Sequence, residues 1–85
     1  MASMKNPTGY NAPAENAFSV TPNDSTDMAN AARALFVGGA GDVKVDTTGG
    51  DTVTFTGVTA GMILPVRVTR VYATGTTATN IVAVY

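Results

Sequence analysis

The sequence predicts an all-β fold, a small antiparallel β-sandwich or partly closed barrel preceded by an extended N-terminal arm. Three observations point there. From Arg33 onward, short stretches of alternating apolar and polar residues are separated by turns rich in Gly, Asp and Thr, which is the period-two pattern of half-buried strands. Upstream of residue 30 the composition changes: three of the four prolines (Pro7, Pro13, Pro22) and several asparagines fall there, with few large apolar side chains and no sustained period. The chain has 85 residues, no Cys, and only 13% charged residues, roughly half the usual quarter. These features divide it into an arm, 1–30, and a β-module, 31–85.

The arm has few residues with apolar area to bury, and Tyr10, Phe18 and Val20 are its candidate anchors. Ala17-Phe18-Ser19-Val20 places Phe18 and Val20 at alternate positions, a pattern suited to a short strand added to a neighbour's edge. Thr21 to Asp27 combines Pro22 with Asn, Asp, Ser and Thr side chains that can bond nearby backbone N–H groups, so one or two tight turns are expected. Met28 to Leu35 mixes helix-favouring alanines with the strand-favouring Leu35-Phe36-Val37. At most a helical turn before a strand is expected.

In the module, Leu35-Phe36-Val37 ends at Gly38-Gly39-Ala40-Gly41-Asp42, read as a hairpin loop because glycine tolerates positive φ. A phosphate-binding reading of these glycines fails, since a valine-rich strand follows where a helix is required. Val43-Lys44-Val45-Asp46 and Thr52-Val53-Thr54-Phe55-Thr56 alternate around the turn Thr47 to Asp51, with Val43, Val45, Val53 and Phe55 facing inward. Two consecutive hairpins are therefore expected. Met62 to Ala73 is the longest predicted strand. Its alternation slips near Arg70, where a bulge or a change of packing environment is expected, and Pro65 belongs at an edge, a bulge or the strand's start. Thr74 to Thr77 forms the last turn. The final strand, Thr79 to Tyr85, is apolar on both faces and so is expected to be sandwiched. The total is five or six strands.

Composition excludes most chemistry. Without His or Cys there are no triads built on them, no thiolates, no disulfides and no ordinary zinc site. The acids are Glu15, Asp24, Asp27, Asp42, Asp46 and Asp51; Asn23 to Asp27 lacks the spacing of a calcium loop, and a paired-carboxylate hydrolase needs a cleft that so small a domain has little room for. No catalytic, cofactor-binding or metal residue is assigned, and the protein is read as a non-enzyme without cofactors. A net charge of −1 supplies no field for nucleic acid. No apolar run reaches the ~18 residues of a membrane span, and no signal peptide is expected. Below about 70–80 residues a core alone rarely supplies enough stability, and with disulfides impossible, homo-oligomerisation is the expected support. Arg67 and Arg70 lie in an apolar strand, where they either reach solvent along their stems or, with Arg33, pair with Asp across a subunit boundary. Arg67, Arg70, Tyr72, Ile81, Val84 and Tyr85 form the expected oligomer interface.

The ordered text carries one further signal. Ala17 to Asp27, Arg33 to Val43, and above all the run Leu64-Pro65-Val66-Arg67-Val68 with its Thr-rich turn and apolar C-terminus, resemble the small spike-base proteins of tailed bacteriophages and phage-like gene transfer agents. The resemblance covers about residues 17 to 85. It implies a virion structural protein, an oligomeric decoration or spike base attached to the capsid shell of the head, made in the host cytoplasm and placed on the capsid surface. The implied partners are sister copies in a trimer or pentamer, the major capsid protein held by the arm, and a fibre protein above. Two alternatives stay open: a tail or baseplate adaptor, and a glycan-binding module for host adsorption using Tyr72 or Tyr85.

Overall fold

The computed structural model describes residues 15–85. It contains seven strands and no helix among the described residues: β1 (Ala17–Ser19), β2 (Ala34–Gly39), β3 (Gly41–Thr47), β4 (Thr52–Val58), β5 (Met62–Leu64), β6 (Val68–Val71) and β7 (Thr79–Val84). They form two antiparallel sheets, a four-stranded sheet A in the order β1-β7-β2-β5 and a three-stranded sheet B in the order β4-β3-β6. The sheets pack face to face as an open sandwich. Leu35 and Val37 of β2, Ile81 and Ala83 of β7, Val43 and Val45 of β3, and Val68 and Val71 of β6 fill the space between them, all nearly or wholly buried.

The hairpin β3–β4 follows the expected pattern. The Thr47 N–H donates to the Asp51 carbonyl at 2.8 Å and the Gly50 N–H to the Thr47 carbonyl at 3.0 Å. From that turn Val45 pairs with Val53 and Val43 with Phe55. The pairing puts all four on one face, as expected, but only Val43 and Val45 are buried. Val53 is 40% exposed and Phe55 half-buried, because β4 is an edge strand that reaches beyond the cover of sheet A. Further along, the register slips where Gly41 pairs with Val58. Gly57 absorbs the extra residue at φ +71°, a conformation costly for side-chain-bearing residues, and Val58 thereby turns inward to 4% exposure.

The expected bulge near Arg70 is present. Asp46 pairs with Arg70 and Thr47 with Val68, leaving Thr69 as the extra residue. This is why Val68 and Val71, three positions apart, both point into the core.

Three expectations are corrected. Gly38 to Asp42 is no hairpin loop: β2 lies in sheet A and β3 in sheet B, so the chain turns a corner between layers at Ala40. Glycine is required there by space, since a Cβ on Gly41 would stand 2.5 Å from the Ala78 backbone nitrogen. Met62 to Ala73 is not one strand. It breaks after Leu64 at Pro65, which cannot continue the ladder, so that β5 completes sheet A and β6 joins sheet B. Ala17–Ser19 pairs with β7 of its own chain, Phe18 opposite Ala83, where a neighbour's edge was expected. A strand and its partner need not be close in sequence, and here they are the two ends of the described chain.

Residues 20–33 then cross from sheet A to sheet B along the outer edge of β6. The Asn23 N–H donates to the Val71 carbonyl at 2.9 Å, the Met28 N–H to the Thr69 carbonyl at 2.9 Å, and Ala32 bridges to Val68. Met28 and Val20 pack against the core as they pass.

Candidate assembly surfaces

Among the described residues there is no helix and the core holds only apolar side chains, which leaves the polar groups at the surfaces and main-chain edges. Three regions stand out.

The first is a polar clasp that fastens the crossing segment to sheet B. The Asn23 side-chain carbonyl accepts the Ser25 N–H at 2.8 Å and the Thr26 N–H at 3.1 Å, the local turn expected from residue types. The turn presents Asp24 and Asp27 toward β6. Arg70 donates from Nε to Asp27 Oδ1 at 2.8 Å and from Nη1 to the Asp24 carbonyl at 3.2 Å. Burial works against the Arg70 charge, yet Asp27 and, after it, Tyr72 together outweigh it and raise its pKa further. Asp24 in turn accepts from the Thr74 hydroxyl at 2.6 Å and the Thr74 N–H at 2.8 Å. The Thr74 hydroxyl first, then its N–H, hold the Asp24 carboxyl below the ordinary carboxylate range.

Beside the clasp, the Tyr72 hydroxyl donates to Asp46 Oδ2 at 2.8 Å. Asp46 also accepts from the Thr52 hydroxyl, and these two donors, Thr52 ahead of Tyr72, lower its pKa. The Lys44 ammonium lies 4.8 Å from the centre of the Tyr72 ring and the Arg70 guanidinium 5.7 Å, both at cation–π range. Thus Arg70 and Tyr72, expected at a subunit boundary, are engaged within their own chain.

The second region is the outer face of sheet A. Registers place Ser19 opposite Val82, Val82 opposite Phe36 and Phe36 opposite Ile63. Directly opposed residues share a face, so these four form one row on the side away from the core, with Ala17, Val84 and Ala34 in the row beside it. Phe36 is 40% and Ile63 61% exposed. None of the seven is charged. The final strand is therefore apolar on both faces as read from sequence, but only Ile81 and Ala83 are covered by sheet B; Val82 and Val84 face outward. Single exposed apolar residues are ordinary, whereas a contiguous uncharged row across four strands marks an interaction surface.

The third is the β4 edge, long and, among the described residues, bonded on one side only.

The remaining expected site residues are placed as follows. Ile81 is 3% exposed and packs inside its own sandwich. Phe18 faces inward and is half-buried, meeting the Tyr85 ring edge-on at 5.6 Å between centres. Val20 is half-buried on the core, and Arg67 is exposed with its carbonyl accepting the Thr48 N–H at 3.1 Å. Tyr10 lies outside the described residues. Phe36 and Ile63 were missed as surface residues because the strand partners that fix their face come from 27 positions away; the parity of Phe36 against Leu35 and Val37 was the available signal.

No protein-family model matches the sequence, and no curated protein matches it. A solved structure does. The chain superposes with a TM-score of 0.82 and 46% identity on a chain of the capsid of a native gene transfer agent particle, computed with C5 symmetry, over 92% of this chain and 90% of that one. The chain belongs to the family of that capsid component. At 46% identity over nearly the whole of both chains the relation extends beyond fold, and the surfaces above are those of a phage-like capsid-associated protein. Asp24 and Asp27 are engaged in the clasp and Asp46 beside it, and Asp42 accepts the Gly57 N–H at 2.9 Å across the β4 bulge.

Proposed function

We propose that the protein is an oligomeric decoration or spike base on the outside of the head of a phage-like particle, attached to the major capsid protein. The observation that carries the reading is the 46% identity, over 92% of the chain, to a chain of a gene transfer agent capsid. Surface physics supports it. A soluble single copy gains nothing from an uncharged row of Phe36, Ile63 and Val82 open to water, whereas an assembled protein gains by covering it.

The outer face of sheet A is the contact toward the shell or a sister copy, and the N-terminal residues ahead of β1 are the tether. A single tether makes only a small contact and binds weakly. A trimer or pentamer that presents several tethers together gains through effective concentration. Sheet B, with the threonines of β4 and the polar clasp, then faces away from the shell, where a fibre protein can stand.

A glycan-binding role finds less support, since Tyr72 and Tyr85, the two aromatic platforms it requires among the described residues, are held by Asp46 and Phe18. Removing Met1–Ala14, which leaves β1 and its pairing intact, is expected to preserve the fold and to abolish co-purification with heads. Undiminished attachment of the shortened chain contradicts the tether.

A further inference from the structure

Sheet edges expose unpaired N–H and C=O groups, and folded proteins normally guard them. Here three of the four edges are guarded or short. The β6 edge is bonded by Asn23, Met28 and Ala32 of the crossing segment; β5 has three residues and stops at Pro65; β1 has three residues. The fourth edge, β4, runs for seven residues, Thr-Val-Thr-Phe-Thr-Gly-Val, with no charge, no proline and, among the described residues, no partner beyond β3.

Hydrogen-bonded and non-bonded pairs alternate along an antiparallel ladder. Counting from the Thr47–Asp51 bond, Val53 and Phe55 bond to β3, so Thr52 and Thr54 aim their N–H and C=O groups outward. The inner face of the same strand is unfinished as well, with Val53 40% exposed and Phe55 half-buried. A further strand laid against β4 satisfies the main chain and covers both side chains at once.

We propose that this strand is β4 of a second copy, antiparallel about a two-fold axis through Thr54. The occupant follows from the pattern. Thr52-Val53-Thr54-Phe55-Thr56 reads the same in both directions, threonine and apolar residue in turn. The two-fold sets Thr54 against Thr54 of the second copy, Thr52 against Thr56, and Val53 against Phe55, so each apolar side chain meets an apolar one on the inner face and each threonine a threonine on the outer. No charge is brought opposite its like, the arrangement that most often prevents a strand from pairing with itself. Sheet B becomes a six-stranded sheet shared by two copies, and the outer faces of both A sheets stay open. A two-fold contact cannot close a ring of three or five. It adds pairing between copies to whatever ring the capsid role requires, and it is independent of that role.

The absence of native cysteine allows a direct test on the free, full-length protein. Opposed Cα atoms at a bonded pair stand about 5.5 Å apart, within disulfide range. Thr54→Cys is expected to give a covalent dimer on mild oxidation. Thr52→Cys and Thr56→Cys, each alone, are expected to give at least five-fold less, and a mixture of the two to restore the yield. All three positions are exposed, and Thr54→Pro, which removes an outward N–H that β3 does not use and fixes φ, is expected to shift the native mass toward the single copy. Equal cross-linking at all three positions, or none with a single-copy mass for the parent chain, overturns the proposal. A protected Thr54 amide in a chain that Thr54→Cys does not cross-link assigns the edge to a foreign strand and overturns it too. Particle attachment is not read, so this outcome and that of the capsid reading are separable.

Discussion

Leu35 and Phe36 are adjacent in β2 and point to opposite sides of sheet A, and their substitution separates the core from the assembly face. Leu35 is fully buried between the sheets. Replacing such a leucine by alanine removes its transfer energy and leaves a cavity, a loss of about 2–5 kcal/mol. Taking about 3 kcal/mol, with about 4–8 °C of melting temperature per kcal/mol in a domain of this size, Leu35→Ala is expected to melt about 12–24 °C lower. Phe36 is 40% exposed and has no layer above it among the described residues, so Phe36→Ser is expected to cost about 1 kcal/mol or less in the isolated domain. Its effect belongs to attachment, where loss of the central aromatic is expected to lower the amount bound to heads by ten-fold or more. Thermal melting followed by far-ultraviolet circular dichroism at fixed protein concentration gives the first quantity, and quantitative blotting of purified particles the second. A Phe36→Ser melting point as low as that of Leu35→Ala refutes the outward placement of Phe36. Normal attachment refutes the functional meaning given to the face.

Two further predictions concern the corner and the clasp. Gly41→Val forces a Cβ against the Ala78 backbone at a φ of +155°, and is expected to destabilise by about 1–3 kcal/mol from backbone strain and more from the clash; denaturant titration checks it. Asp24 and Asp46 both titrate below the ordinary aspartate value in the folded state. Their contribution is fully present above the unfolded-state pKa near 3.8 and disappears as pH falls through the lower folded value. Stability is thus expected to be insensitive to these groups from neutrality down to about pH 5, then to fall. Asp24→Asn and Asp46→Asn should each flatten that acid limb, as read from melting temperature against pH.

Much of the β-module was legible because its signals are local. The β3–β4 hairpin follows from two alternating stretches around a Gly-Gly-Asp turn, and the Asn23 turn from the chemistry of one side chain. The bulge beside Arg70 was visible as a slip in parity, which an extra residue or a change of packing environment can each produce, and the register of β3 against β6 decides for the extra residue. What escaped was the assignment of strands to sheets. A glycine run that reverses a chain and one that carries it round a corner have the same composition, so the passage from β2 to β3 could not be told from a hairpin. Pro65 marked a discontinuity, but whether the strand resumes in the same sheet depends on the opposite layer. Val53 and Phe55 have inward parity and yet are only partly covered, because parity reports a face and not how far another sheet extends over it.

The surfaces were harder to read than the fold. Arg70 was singled out as a charge among valines, but its partner Asp27 is 43 positions away, and nothing local distinguishes a partner in the same chain from one in a neighbour. The exposed row of Ser19, Val82, Phe36 and Ile63 exists only after β7, β2 and β5 are in register. By contrast, the order of residues from Leu64 to Tyr85 carried the resemblance to capsid-associated proteins directly, and the structural likeness to a gene transfer agent capsid chain agrees with it at that level.

The place proposed for this small sandwich is the outer surface of a particle's head. The most direct measurement is localisation on purified intact particles, by difference density between particles made with and without this protein. The account predicts density added outside the shell of the head, with the outer face of sheet A toward the shell. Density confined to the tail or baseplate, or particles that lack the protein altogether, contradicts it.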